Sequence, residues 1–368
     1  MYSLFNGDLA IDTITQIALG AAVGEAVLGK KVGNKAMLWG AVGGTIPDLD
    51  VLANPFISGV AQLGFHRGFS HSFVFAILFA PVFGWLIYKY YRGAGARWRD
   101  WSWLAFWSIV THPILDWFTM YGTQLLQPFS DYPAAIGSIF IIDPVYTIPL
   151  IIAAFWIRRL PNDAKLRRKI NIASLAFTTG YLLLGVAIKF HVEATFADSL
   201  KAQNIKYERI FSNPTPFNII LWMAIADDGN GQWVGLYSLL DDDDNIRFQY
   251  VPKNEAQISA AIDQPALQKL LWFSRGFYTI TQSDNTLYFN DIRFGRSDMW
   301  LDDKGSYIFS FRLIEDSQPP AMYRDIERQT PGFDARAENF ARLFKRISGD
   351  KSVEQSSAGK MSSNTKNN

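Results

Sequence analysis

Apolar residues are spaced differently in the two halves of the chain. Over residues 13–190 they come in long runs; over residues 191–368 they come in short clusters between turn residues. Four runs carry no Lys, Arg, Asp or Glu: residues 72–88, 101–115, 144–157 and 171–188. A helix needs about 20 residues to cross ~30 Å of hydrocarbon, and each run approaches that length with its flanks. Two earlier segments, about 13–29 and 36–49, are shorter and rich in glycine. In them Gly20/Gly24 and Gly40/Gly44 stand at the four-residue spacing that lets helices approach closely. The pattern predicts a membrane α-helical bundle of about six transmembrane helices.

The second half predicts a soluble α+β domain. Phe217 to Ala226 and Trp233 to Leu239 read as strands, joined by the turn Asp227-Asp228-Gly229-Asn230-Gly231. Residues 255–275 have helical spacing, interrupted at Pro265. Phe277 to Gln282 and Leu287 to Asp291 pair as a hairpin across Ser283-Asp284-Asn285-Thr286, and Ile308 to Leu313 reads as a last strand. Residues 347–368 are rich in Ser, Lys and Asn and predict a disordered tail. The expected plan is therefore a membrane helical domain over 1–190, an extracytoplasmic α+β domain over 191–346, and a tail over 347–368.

Positive charge orients the helices. The loops after helices 1, 3 and 5 hold thirteen cations: Lys30, Lys31, Lys35; Lys89, Arg92, Arg97, Arg99; and Arg158, Arg159, Lys165, Arg167, Arg168, Lys169. The opposite loops hold one, Arg67. Cytoplasmic loops carry the excess of Lys and Arg, so the N-terminus and the C-terminal half are expected outside the cytoplasm. Helices 1 and 2 as a re-entrant pair would strand three lysines in lipid, so spanning is favoured. Residues 1–12 contain no Lys or Arg, unlike a signal peptide, so the first segment is expected to be retained. The net charge of +1 implies no nucleic-acid partner, and the absence of cysteine excludes disulfides and Cys-zinc sites.

This topology gathers the polar motifs of the first half. Pro47-Asp48-Leu49-Asp50 ends helix 2, His66 and His71 precede helix 3, His112 and Asp116 lie in helix 4, and Asp143 opens helix 5, all on the outer side. Asp12 opens helix 1 on the same side. The chain has four histidines and three are here. Ionisable groups at membrane depth need partners, and a metal ion is a natural one. His112 and Asp116 are four apart and share a helix face. His66 and His71 can converge if His66 sits in a loop. The candidate ligands are Asp48, Asp50, His66, His71, His112 and Asp116. Such mixed ligands suit a divalent metal, zinc first, with manganese or iron as alternatives. Two ions would fit so many ligands.

Other polar residues carry weaker signals. Arg67 can anchor a phosphate or carboxylate of a substrate, or bind lipid headgroups. Glu25, inside helix 1, is an intramembrane acid that can pair with a lysine such as Lys30 or serve packing. Asp12 and Asp143 read equally as ligands or helix caps. His191 has no companion motif and reads as structural. Asp241-Asp242-Asp243-Asp244 lacks the ligand spacing of a calcium loop and reads as a solvated connection.

The order PDxD, HRGxxHS and HxxxD, followed by Tyr121-Gly122-Thr123 and Pro128-Phe129-Ser130, resembles the YdjM-type bacterial inner-membrane proteins. Asp12-Thr13-Ile14-Thr15-Gln16 and Gly24-Glu25-Ala26 are similar to that family's start. The resemblance covers about residues 11–190. It implies an inner-membrane metal-dependent hydrolase with Asp48, Asp50, His66, His71, His112 and Asp116 at its site. Many members have His where this chain has Gln16, which removes a potential ligand.

The leading expectation is a multi-pass hydrolase acting at the outer face of the bacterial inner membrane, on a lipid or lipid-linked phosphoester. Asp50 would serve as general base and Arg67 would orient the substrate. Membrane lipids and an amphiphilic substrate are the expected partners. The alternative is a non-enzymatic membrane scaffold whose outer domain binds a partner protein. A transporter is disfavoured because the polar groups gather at one face rather than at the midplane. The topology is testable because the chain has no cysteine. Ser283→Cys should react with an impermeant maleimide from outside, and Arg97→Cys only after permeabilisation; the reverse pattern would invert the chain.

Overall fold

A computed structural model describes residues 7–57, 59–92, 95–298, 305–315, 323–329 and 337–354. The chain splits into two compact units. One comprises Met1–Phe56, Phe65–Ile188 and Pro216–Asn218; the other comprises Ile57–Gly64, Lys189–Thr215 and Ile219–Asn368.

The helical unit is built from α1 (Gly7–Val32), α2 (Asn34–Thr45), α4 (Phe73–Tyr90), α5 (Trp98–Phe118), α6 (Pro144–Ile157) and the first part of α7 (Lys165–Ala202). Between Asp50 and His66 in sequence lies a short helix, α3 (Gly59–Phe65), nearly all of which belongs to the second unit. The six apolar segments of the sequence thus all form helices. Two of them, α4 and α7, are long and apolar enough to cross a membrane; α6 is apolar but shorter.

Glycine explains how α1 and α2 pack. A Cβ on Gly24 would stand 2.2 Å from the Ala36 carbonyl oxygen, and one on Gly40 would stand 2.2 Å from that of Gly20. No side chain fits such a gap, so the small-residue spacing marks a true backbone-to-backbone contact. Helix α5 occupies the middle of the unit. Its Trp101, Leu104, Ala105 and Ile109 pack with Ala76, Ala80, Phe83 and Ile87 of α4. Further along, its Leu115 joins Leu19 and Val23 of α1, Leu150 of α6 and Leu182 of α7.

Asp143 is a helix cap. Its carboxylate accepts hydrogen bonds from the amides of Val145 and Tyr146 and from the Tyr181 hydroxyl. That is the expected use of an Asp immediately before a helix with proline at its first turn. The side chain of Asp12 lies outside the described residues.

Glu25 has an arginine partner rather than a lysine. The Arg167 guanidinium donates from Nε and Nη2 to the two Glu25 oxygens at 2.6 and 2.5 Å. Its Nη1 donates to Asn34 Oδ1 and to the carbonyls of Ile157 and Leu160. One buried cation thus ties α1, α2 and the end of α6 to α7. The planar guanidinium supplies the several fixed donors this needs, which an ammonium would not.

The second unit carries two antiparallel four-stranded sheets. The first runs β1 (Arg209–Pro214), β2 (Leu221–Asp227), β3 (Gly231–Ser238) and β4 (Phe248–Pro252); the second runs β5 (Tyr278–Ser283), β6 (Thr286–Arg296), β7 (Tyr307–Glu315) and β8 (Tyr323–Gln329). Helices α8 (Pro265–Ser274) and α9 (Ala337–Ile347) accompany them. The β5–β6 hairpin turns through Asp284 and Asn285, whose φ values of 47° and 62° suit a two-residue turn matched to strand twist. The strands β1, β4 and β8 are additions to those the sequence predicts. Each is an edge strand of its sheet, short or polar, so none shows a strong apolar alternation.

Asp241 to Asp244 form the expected connection, with Asp242, Asp243 and Asp244 exposed. The Asp241 carboxylate is the exception: it is buried and paired with Arg346 of α9, while the exposed Asp243 pairs with Lys351. Residues 351–354 form a short 3-10 turn within the expected tail, and residues 355–368 lie outside the described residues.

The buried ion pair predicts an asymmetry in stability. Arg167→Ala leaves Glu25 uncompensated and should cost about 3–5 kcal/mol. Combining Glu25→Leu with Arg167→Met should recover much of that loss. Unfolding in detergent, followed by circular dichroism, measures both.

Candidate metal centre

Four segments converge at one end of α5. The α1–α2 contact fixes the end of α2, and the chain then enters a 3-10 helix, Pro47–Phe56, which opens with Asp48 and Asp50. The loop from Phe65 makes a second 3-10 turn, Phe69–His71, which delivers His71. Ser72 then caps α4 by accepting from the Phe75 amide at 3.0 Å. His112 and Asp116 share one face of α5, and Pro113 lies inside the helix between them.

Asp48, His71 and His112 each present a ligand atom within 4.8 Å of the others. Asp116 stands beside them. Asp48 Oδ1 lies 3.3 Å from His71 Nε2 and 3.4 Å from His112 Nε2, while Asp116 Oδ2 lies 3.5 and 3.4 Å from the same nitrogens. Two ligands on a tetrahedral ion bound at about 2.0–2.1 Å stand roughly 3.3–3.4 Å apart. The four separations match that value.

The hydrogen bonds around these residues support the fit. His71 Nε2, His112 Nε2 and Asp116 Oδ2 are buried and have no hydrogen-bond partner. Buried polar atoms are nearly always bonded, so three orphans aimed at one point call for a ligand. The outward side of His112 is satisfied: its Nδ1 lies 2.5 Å from the Gly44 carbonyl oxygen. A carbonyl only accepts, so Nδ1 carries a proton, and in the neutral ring Nε2 then keeps its lone pair for the site. Gly44 is in the last turn of α2, where carbonyls lack helical partners. On the other side, Gln16 Nε2 donates to Asp116 Oδ1 at 3.0 Å and leaves Oδ2 facing the two imidazoles.

Asp50 and His66 form a pair next to this group. Asp50 Oδ1 is 3.0 Å from His66 Nδ1, and Oδ2 accepts from the Ser70 hydroxyl at 2.9 Å and the Arg67 amide at 3.3 Å. Burial alone would raise the Asp50 carboxyl, but the hydrogen bonds from His66 and Ser70 help hold it below the usual range. His66 is the more open of the two, its side chain 18% exposed against 4% for Asp50.

Arg67 points inward. Its backbone adopts φ 57°, in the left-handed region that costs a non-glycine residue about 1–3 kcal/mol. Bonds at both ends of the residue hold it there: the amide donates to Asp50, and the carbonyl accepts from the Gln124 amide at 3.0 Å. The buried guanidinium then reaches Asp116 Oδ2 at 3.4 Å and Thr119 Oγ1 at 3.0 Å, and lies over the Tyr121 ring.

The six candidate ligands therefore fall into two groups. Asp48, His71, His112 and Asp116 face one point; Asp50 and His66 face each other beside it. Sequence reading named all six, placed Gly44 in the helix contact and offered Ser70 or Ser72 as a helix cap; the cap is Ser72, and no orienting role was assigned to the Gly44 carbonyl, to Ser70 or to Thr119. Ser70 lies inside the HRGxxHS motif, so its position was visible. The Gly44 carbonyl has no sequence signature.

Fold and site together define a protein with a helical N-terminal region whose buried His and Asp side chains lie close enough to hold a metal ion. Residues 11–193 match the family described as YdjM inner membrane protein, and the chain belongs to that family of membrane proteins. It is similar to the inner membrane protein YbcI of Escherichia coli (strain K12), 32% identical over 120 residues that cover 32% of this chain and 68% of YbcI. It is also similar to the uncharacterized protein YfhP of Bacillus subtilis (strain 168), 30% identical over 154 residues that cover 40% of this chain. The chain spans 46% of the length of YfhP. No solved structure matches significantly.

Purified protein should carry stoichiometric divalent metal by elemental analysis. His71→Ala and His112→Ala should each lose it, and full occupancy in both variants would remove the site.

Proposed function

We propose that this protein is a multi-pass hydrolase of the bacterial inner membrane that uses a divalent metal, zinc by ligand type, at the outer membrane face. The observation that carries this reading is the convergence of His71 Nε2, His112 Nε2 and Asp116 Oδ2, buried and without a hydrogen bond, beside Asp48. Orientation rests on the thirteen cytoplasmic-side cations against one. Asp48, His71, His112 and Asp116 would hold the ion. When bound, it would supply Lewis acidity to a water and to a phosphoryl or carbonyl oxygen.

The remaining residues support hydrolysis by position. His66 stands at the open edge with Nδ1 turned to Asp50, so its other nitrogen can take a proton from an attacking water. Asp50 then orients His66, which takes the role of base that sequence reading gave to Asp50 itself. Arg67, next to Asp116, offsets the charge of the carboxylates, and on this reading it contributes to substrate orientation through Asp116 and Tyr121.

An amphiphilic substrate, a lipid or lipid-linked phosphoester, suits the surroundings. Leu49, Leu52 and Phe69, adjoining the ligands in sequence, are 54%, 63% and 44% exposed. Apolar side chains so exposed beside a polar pocket favour a ligand with an acyl or prenyl chain.

Protein reconstituted in liposomes with candidate phosphoester lipids provides the test. Turnover should require divalent metal and vanish with a chelator. His66→Ala should retain the metal but lose about 10²–10⁴-fold in kcat. Stoichiometric metal with no turnover across the panel would overturn the enzyme reading and favour a scaffold.

A further inference from the structure

We propose that Ser70 is a positioning residue, which with Asp50 locks His71 in the one tautomer that can bind a metal through Nε2. The inference rests on the metal site above and adds a role to a residue that is not itself a ligand.

Proton counting carries the argument. A carboxylate only accepts hydrogen bonds, and a serine hydroxyl has a single proton to give. Ser70 Oγ is 2.9 Å from Asp50 Oδ2, so that proton goes to Asp50. The same oxygen is 3.0 Å from His71 Nδ1. Having spent its proton, it accepts there, and Nδ1 must be the protonated nitrogen. His71 Nε2 is left with its lone pair, and it is the buried atom without a partner, facing Asp48 and Asp116.

Asp50 is suited to anchor this relay because its oxygens are already committed. His66 Nδ1 occupies Oδ1, while Ser70 and the Arg67 amide share Oδ2. It cannot serve His71 directly at hydrogen-bond distance, since Oδ2 is 3.5 Å from Nδ1. Without the Ser70 oxygen, the stronger attraction for the imidazole proton lies inside the pocket. Asp48 Oδ1 is 3.3 Å from Nε2 and Asp116 Oδ2 is 3.5 Å away. An Nε2–H tautomer bonded to either carboxylate would occupy the position of the ion. Ser70 therefore keeps His71 available as well as oriented. His112 reaches the same state by a separate route, through the Gly44 carbonyl. Metal-bound histidines generally have such a partner on the outer nitrogen, and its loss typically costs 10–100-fold in affinity, of the order of ~10–100-fold here.

The test uses the full chain in detergent with Ser70→Ala and Ser70→Thr. Four histidines make ¹⁵N-histidine spectra assignable with one substitution each. In the metal-free wild type, His71 should be the Nδ1–H tautomer; an Nε2–H tautomer would overturn the relay whether or not metal binds. Zinc affinity, by competition with a chelating dye, should fall ~10–100-fold in Ser70→Ala and stay near wild type in Ser70→Thr. Unchanged affinity in a folded Ser70→Ala, with His71 still Nδ1–H, would also overturn it. A wild type that binds no zinc but shows the Nδ1–H form would instead remove the metal reading and leave the relay standing.

Discussion

Charge buried among apolar helices must be compensated, because each ion taken out of water costs several kcal/mol. The helical unit meets this constraint in two ways. Glu25 is answered within the protein by Arg167, which also donates to Asn34, to the Met37 sulfur and to the carbonyls of Ile157 and Leu160. At Asp48, His71, His112 and Asp116 the outer atoms are answered and the inner ones are not. The first arrangement closes a structural joint. The second leaves a convergent set of side-chain atoms close enough to hold a metal ion, which would offset the cost of burying them.

The two arrangements depend on the same helix contact. Gly20, Gly24 and Gly40 let α1 and α2 touch backbone to backbone. That contact sets the end of α2, and with it the Gly44 carbonyl that turns His112 toward the site. It also sets the height of Gln16 on α1, which holds Asp116 from the other side. Bulk added at Gly40 would therefore be felt at the ligands, although no glycine side chain exists to touch them. This is how a stripe of small residues acts on chemistry: it fixes the backbone groups that orient the side chains.

Much of this was legible before any coordinates. Charge-free runs marked the helices, glycine spacing marked the α1–α2 contact, and the four-residue step from His112 to Asp116 put both on one face of α5. The Asp284-Asn285 turn likewise announced its hairpin. What escaped the sequence shares a physical cause. Edge strands such as β4 and β8 need little apolar pattern because one flank faces no neighbour in the sheet. The short helix α3 is only seven residues long. Arg167 lies 142 positions from Glu25, and no local spacing links them. Asp241 looked solvated because its partner, Arg346, is equally remote in the chain.

The same limit explains the reading of Asp50. A carboxylate two residues from a candidate ligand in a PDxD segment looks like a second ligand, since spacing records which side chains are near but not which atoms they have already used. In the structure Asp50 receives His66, Ser70 and the Arg67 amide, and its oxygens have little left to offer an ion. Its position lets one carboxylate serve two imidazoles, His66 directly and His71 through a hydroxyl. A ligand must keep a lone pair exposed, whereas an orienting group must use its lone pairs up. By that criterion Asp48 and Asp50, two residues apart in one short motif, belong to different layers of the same site.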